Sequence, residues 1–226
     1  MNGKHPRWFG LSLFGWRYWL PMLITGLLFM GMLYFVTPVL TGLMALVTLA
    51  CMLFFRDPPR FIPDQPGLMV SPADGKIVEI TRLEHHDAFS GPALRIGIFL
   101  SVLDVHINRS PCAGVVASTH FTPGEFLDAR NPQAGMRNQS NTLVLKVSSM
   151  ADHPPVAIVR QIVGAIARRI ICNATAGTPL QRGERFGIIV FGSRTELIVP
   201  DPEAWECLVH IGQHVQGGTT ALLRRR

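Results

Sequence analysis

Phe186-Gly187-Ile188-Ile189-Val190-Phe191-Gly192-Ser193-Arg194-Thr195-Glu196-Leu197-Ile198-Val199 is the stretch whose reading decides the fold class. Phe186–Phe191 and Leu197–Val199 are short apolar runs rich in β-branched residues, and Gly192-Ser193 interrupts them. Runs of that length, bounded by turn residues, predict strands. The pattern repeats upstream at Lys76–Ile80, Leu94–Leu100, Gly114–Ser118, Thr142–Val147, Val156–Ile162 and Ala165–Ile171. Few windows carry a 3.6-residue apolar period. Leu103–Arg109 and Gly124–Leu127 are the exceptions, each predicting a helical turn or two. Residues 68–226 are therefore expected to form a mainly β domain, barrel- or sandwich-like, with few short helices. Leu222-Leu223-Arg224-Arg225-Arg226 reads as a frayed basic tail.

Residues 57–67, Asp57 to Gly67, hold four Pro and one Gly. They read as a linker with little helical capacity. Before it, in residues 1–56, the chain changes character. No charged residue occurs from Trp19 to Phe55, a run too long for one span of ~20 residues. Pro38 removes a backbone donor and pushes Thr37 out of helical geometry. The run therefore divides into two apolar helices, about 19–35 and 39–55, forming a transmembrane hairpin or a shallower re-entrant one. Lys4, Arg7 and Arg17 lie before it, and Arg56 and Arg60 after it, so both ends are expected on the cytoplasmic side. Trp8, Trp16, Tyr18 and Trp19 read as an interfacial aromatic belt. A secretory signal would have a single, shorter apolar stretch.

Composition agrees with that division. Apolar residues make up 48% of the 226 and charged residues 16%, with a mean hydropathy of +0.27. Disorder needs the opposite balance. The net charge of +6 suits an anionic partner. With two Tyr and no basic–aromatic interleaving, an anionic membrane fits better than nucleic acid. Cys51, Cys112, Cys172 and Cys207 form no C-x-x-C pair and have no His at zinc spacing, so no metal site is expected. They read as buried thiols.

Four segments could carry chemistry. Ser71-Pro72-Ala73-Asp74-Gly75-Lys76 is, alone, a turn leading into a strand. Leu100 to Pro111 concentrates Asp104, His106, Asn108 and Arg109. In an extended chain 104, 106 and 108 share one face and Arg109 takes the other. A His among Asp, Asn and Arg beside apolar strands is a candidate acid or base. Phe121-Thr122-Pro123-Gly124-Glu125-Phe126 is a turn by its Pro-Gly. Gly192-Ser193 alone says nothing, since chance supplies about one such pair at this composition.

In combination and order, these segments resemble phosphatidylserine decarboxylase of the short bacterial type. The resemblance rests on Pro72-Ala73-Asp74-Gly75, Leu100-Ser101, Asp104-Val105-His106, Ser110-Pro111, Thr122-Pro123-Gly124 and Phe191-Gly192-Ser193, and covers most of Arg56–Ala221. It implies a pyruvoyl-dependent, self-processing enzyme. The Ser193 hydroxyl would attack the Gly192 carbonyl to give an ester. Elimination and hydrolysis would then leave a pyruvoyl group where Ser193 stood, with no metal or dissociable cofactor required. The two cleaved chains would stay together as a heterodimer. The pyruvoyl ketone would condense with the amine of phosphatidylserine and take up the electrons left by CO2, giving phosphatidylethanolamine. Related archaeal-type enzymes act on archaetidylserine by the same chemistry, and the residues leave open which of the two lipids is the substrate.

The resemblance also implies roles for single residues. His106 would be the proton donor at the decarboxylated carbon and a possible base in self-cleavage. Asp74 would orient or charge-balance that base. Longer relatives carry a second His where this chain has Arg109, so their Asp–His–Ser triad does not transfer directly. Arg109 is instead expected to bind the substrate carboxylate or phosphate. The implied location is the bacterial inner membrane, with the β domain on the cytoplasmic side. Two other readings stand beside it: a membrane-anchored β module that binds or carries a group without catalysis, and a membrane serine hydrolase using Ser193, His106 and Asp74. The hydrolase reading lacks a G-x-S-x-G elbow.

Overall fold

The computed structural model describes residues 7–8, 10–131, 133–146, 156–165, 169–190 and 192–226. Lys4, Val147 and Phe191, used in the sequence reading, lie outside them. The chain divides into two compact units, Met1–Pro59 and Arg60–Arg226.

In the first unit, β1 (Arg7–Trp8) pairs antiparallel with β2 (Leu11–Ser12). A 3-10 turn, Leu13–Gly15, leads into α1 (Trp16–Tyr34), and α2 (Pro38–Phe54) follows. Thr37 is extended at φ −151 and Pro38 opens α2, where its missing N–H has no intrahelical partner to lose. That is why the apolar run breaks there. α1 starts earlier than expected because the Ser12 hydroxyl accepts from the Phe14 N–H and caps the entry. The two helices pack closely: a Cβ added at Gly26 would lie 2.4 Å from Thr48 Oγ1. Among the described residues one helical segment, Leu13–Tyr34, is long and apolar enough by length and composition to cross a membrane; α2 is shorter, so one candidate span stands where a transmembrane hairpin was expected. Trp16 is exposed. Trp19 is instead buried, its indole N–H donating to the Ser12 carbonyl at 2.9 Å.

The second unit is mainly β. Its strands are β3 (Leu68–Val70), β4 (Gly75–His86), β5 (Gly91–Leu100), β6 (Ile107–Arg109), β7 (Gly114–Thr122), β8 (Ser140–Lys146), β9 (Val156–Val163) and β10 (Arg169–Cys172), with a short helix α3 (Ala134–Arg137) before β8. Next come β11 (Pro179–Leu180), β12 (Arg185–Val190), β13 (Ser193–Pro200), β14 (Trp205–Cys207), β15 (His214–Val215) and β16 (Ala221–Arg225). Eight strands form a curled antiparallel sheet in the order β11-β7-β8-β9-β13-β5-β4-β15. Two three-stranded sheets, β10-β12-β6 and β14-β16-β3, complete it. All three sheets contribute to one apolar core, which includes Ile96, Leu143, Leu197, Phe186 and Leu223.

Several expectations change. Leu103–Arg109 is not helical; it is a turn followed by β6, which pairs with β12. Gly124–Leu127 is not helical either: Glu125 bridges Asn138, and the helix forms later, at α3. The C-terminal residues are not a frayed tail. β16 is the central strand of its sheet, with Leu222 and Leu223 buried. Cys112 is buried, and burial pushes its thiol up to about 12, but Cys207 on the edge strand β14 is exposed.

The largest change concerns Arg194-Thr195-Glu196, read as a break between strands. The strand β13 runs through them without interruption. Ser193, Thr195, Leu197 and Val199 share one face, and Arg194 and Glu196 the other. Both charges are buried and paired: Arg194 with Glu196 (2.9 Å) and with Glu79, Arg160 with Glu196 (3.0 Å), and Arg95 with Glu79 (2.5 Å). Burial raises the Glu79 carboxyl, but hydrogen bonds from Arg194 and Arg95 outweigh it and leave the group below its ordinary value of 4.5.

Two measurements check this fold. Leu222→Ala should lower stability by about 2–5 kcal/mol in a urea titration, whereas a frayed tail would show under ~0.5 kcal/mol. Glu79 has a depressed folded pKa, so its contribution is present above the unfolded pKa and is lost as pH falls through the folded one. Glu79→Gln should therefore flatten the acid-side fall of the thermal midpoint.

Candidate active site

Ser193 is the first residue of β13, paired with Leu100 of β5 on one side and Val163 of β9 on the other. Its side chain is fully buried, and Oγ has no hydrogen-bond partner among the described residues. A buried hydroxyl left unsatisfied costs free energy, so its presence calls for a functional reason. One residue earlier, Gly192 has φ +63, a left-handed conformation that favours glycine. The bond between 192 and 193 thus joins a left-handed turn to a strand held on both sides.

A second glycine serves the same carbonyl. A Cβ added at Gly164 would lie 2.5 Å from the Gly192 oxygen and 3.3 Å from its carbon. Only a residue without a side chain lets the end of β9 approach the Gly192 carbonyl this closely. Sequence reading missed Gly164, because its partner is distant in the chain.

His106 reaches the site from the segment after β5. Its Nε2 accepts the Gly192 N–H at 3.1 Å, and its Nδ1 lies 2.9 Å from the Asp104 carbonyl oxygen. These partners assign the proton to Nδ1, leaving Nε2 as the basic atom, one residue from Ser193. Asp104 does two jobs. Its carbonyl holds the imidazole, and its carboxylate accepts from Ser101 N–H (2.8 Å) and Oγ (2.7 Å).

Beside His106, Asn108 donates to Thr195 Oγ1 at 3.0 Å and accepts from Gln161 Nε2 at 2.8 Å. Gln161 in turn accepts from Asn141 at 2.9 Å. All four residues are buried. Asn108 shares the face of His106, and Thr195 that of Ser193, so this amide chain fixes the histidine segment against β13. Gln161 had no signal in the sequence beyond being a polar residue in an expected strand, and Asn141 and Thr195 lay outside the expected strands.

Asp74 is not joined to His106 by a hydrogen bond. Arg60 donates to its Oδ2 (2.5 Å) and Gly217 N–H to its Oδ1 (2.8 Å). Burial raises its carboxyl above the ordinary range, against the opposing pull of Arg60 and Gly217. Arg60, read from the sequence as a basic flank of the apolar run, is buried against Asp74. Arg109 is buried, with its backbone N–H on the Pro72 carbonyl and its Nη1 donating to the Gly183 carbonyl at 3.0 Å. Structure therefore brings Ser193, Gly192 and His106 together, and sets Asp74 and Arg109 among other partners. Among the described residues, no group of three or more His, Cys, Asp or Glu could hold a metal ion. The orphaned Ser193 hydroxyl, next to a carbonyl on a left-handed glycine, fits conversion of this serine into a carbonyl group.

The family model described as phosphatidylserine decarboxylase matches residues 47–223. The chain belongs to the phosphatidylserine decarboxylase family. A phosphatidylserine decarboxylase proenzyme of Desulfotalea psychrophila is 39% identical over 210 residues, covering 89% of this chain and 95% of the relative. Proenzymes of the same name from Rhodopirellula baltica and Cereibacter sphaeroides are 43% and 44% identical, covering 76% and 78% of this chain and 70% and 75% of theirs. A proenzyme type is consistent with self-processing, and the family match spans Asp74, His106, Gly164, Gly192 and Ser193.

Gly164→Ala gives the most specific test of this geometry. A methyl group 2.5 Å from the Gly192 oxygen must displace it, so conversion to fragments should slow at least tenfold while the fold survives. Conversion at the wild-type rate, followed by gel shift, would show that the carbonyl does not depend on this gap.

Proposed function

We infer that the chain removes CO2 from phosphatidylserine, leaving phosphatidylethanolamine, at a group made from its own Ser193. The observation that carries this reading is the buried Ser193 hydroxyl, without a partner among the described residues, beside the left-handed Gly192 whose N–H meets His106.

In self-processing, Ser193 Oγ attacks the Gly192 carbonyl carbon. The bond from that carbon to the Ser193 nitrogen breaks, and the acyl group moves to oxygen. His106 Nε2, released from the Gly192 N–H, takes the hydroxyl proton and passes it to the departing Ser193 nitrogen, which becomes a free amine. Loss of the α-hydrogen and of the Gly192 carboxylate, then hydrolysis of the resulting enamine with release of ammonia, leaves a pyruvoyl group at 193. Asp74 supplies charge balance through its pairing with Arg60. In turnover, the pyruvoyl carbonyl supplies an electron sink for the pair left by departing CO2. His106 then returns a proton to the decarboxylated carbon. Arg109 is assigned to the substrate's anionic end.

Other features support the wider reading. Residues 193–226 are held by β13 between β5 and β9, by β15 on β4 and by β16 on β3. These ladders favour two cleaved chains that remain a heterodimer. The apolar α1 and α2, flanked by basic residues, favour an anchor in an anionic inner membrane with the β unit on the cytoplasmic side.

The test is release of CO2 from carboxyl-labelled phosphatidylserine. Wild type should release it, and Ser193→Ala should release none. His106→Gln should lose at least about a hundredfold in kcat. Full turnover by Ser193→Ala would overturn the reading.

A further inference from the structure

Both strands beside Ser193 end next to it, and each leads to exposed apolar side chains. On the β5 side, Leu100 pairs with Ser193, and the turn Ser101–Asp104 follows at once. The Asp104 N–H donates to the Ser101 carbonyl at 3.0 Å, and the Asp104 carboxylate binds Ser101 N–H and Oγ. This closed turn presents Val102 and Leu103 outward, with Leu103 83% exposed. On the β9 side, Val163 pairs with Ser193, and its carbonyl accepts from Asn138 Nδ2. Asn138 also holds Leu127 in both directions. Ala129 lies against Gly164, since a Cβ there would be 3.2 Å from the Ala129 Cβ. That loop and α3 expose Phe126 and Met136, the latter 80% exposed.

Leu103 and Met136 leave large apolar side chains in water beside the site. Their place explains them. Leu103 stands three residues beyond Leu100, so its backbone is within roughly 10 Å of the strand position paired with Ser193. The one acid in the turn folds its carboxylate back onto Ser101, so the tip carries no outward negative charge to repel an anionic surface. Across from it, Asp128 pairs with Arg130 and Glu125 with Arg137, which leaves that rim locally neutral.

We propose that the Val102–Leu103 turn is a bilayer-contacting tip, which enters the interface between headgroups and acyl chains and delivers the serine headgroup of a membrane lipid to residue 193. The proposal rests on the decarboxylase reading and adds to it the side of the β unit that meets the lipid. Phe126 and Met136 extend the same contact on the opposite rim. His106 is anchored to the carbonyl of Asp104, so lipid contact and acid–base placement share one segment.

The test compares two substrates on the processed full chain: phosphatidylserine in vesicles, and glycerophosphoserine, which has the same headgroup and no acyl chains. Leu103→Ser should raise the vesicle KM about tenfold or more, since one leucine leaves the apolar phase. It should leave turnover of glycerophosphoserine unchanged, and Leu103→Met should retain the wild-type vesicle KM. An unchanged vesicle KM, or equal losses on both substrates, would overturn the proposal. A second measurement does not depend on catalysis. Leu103→Trp should show fluorescence quenching by vesicles of acyl-brominated phosphatidylserine beyond that of the parent chain, and no added quenching would overturn the proposal. If Leu103→Ser instead lowers the sedimenting mass with vesicle KM unchanged, the tip packs on a second copy and the proposal fails. Absence of turnover of both substrates by the wild type, with added quenching intact, would defeat the decarboxylase reading alone.

Discussion

Ser193 enters the large sheet with a neighbour on each side, and one residue earlier the backbone is left-handed at Gly192. Register is what this arrangement depends on. A slip of one residue along β13 would turn Ser193 to the outer face and drive Arg194 toward the apolar core. The outer face guards against that slip, because Arg194 and Glu196 find their charge partners only there. Buried ion pairs are weak sources of net stability, since desolvation offsets most of the attraction. Here their effect is to penalise the wrong register. The strand is thereby fixed.

The inner face fixes the second half of the site. Asn108 bridges to Thr195 and Gln161, and its neighbour on the same face is His106. The imidazole is held from behind by a backbone carbonyl rather than by a carboxylate. Asp104 O accepts from Nδ1, which leaves Nε2 as the basic atom at Gly192. This differs from a triad in which an acid orients the histidine. The Asp74–Arg60 pair strengthens the same region from the linker side, and Arg182 ties the linker down by donating to the carbonyls of Pro63 and Gln65.

Much of this was legible in the residues alone. β-branched runs gave most strands of the second unit, and Pro38 gave the break between the helices. The motif segments gave Ser193, Gly192 and His106, which the fold brings together. What stayed hidden has a common cause. Arg194 and Glu196 look like surface residues until their partners on β4 and β9 are known. Leu222 and Leu223 look like a tail because three arginines follow them, yet they fill the core between β14 and β3. Gly164 and Gln161 act through neighbours distant in sequence. Local pattern reports which residues prefer a strand, but not which charges meet across a sheet. The helical turns expected at Leu103–Arg109 failed for a related reason, because the Asp104 side chain closes a tight turn that competes with helix.

The central claim is that the chain cuts itself between Gly192 and Ser193 and leaves a carbonyl group at the new end. Intact-mass spectrometry of the purified full chain tests it most directly. The account predicts two species, residues 1–192 with a free carboxylate and residues 193–226 with a mass showing pyruvoyl in place of serine. A single species at the mass of the uncut chain, folded and in lipid, would contradict it. So would a short fragment beginning with an unaltered serine.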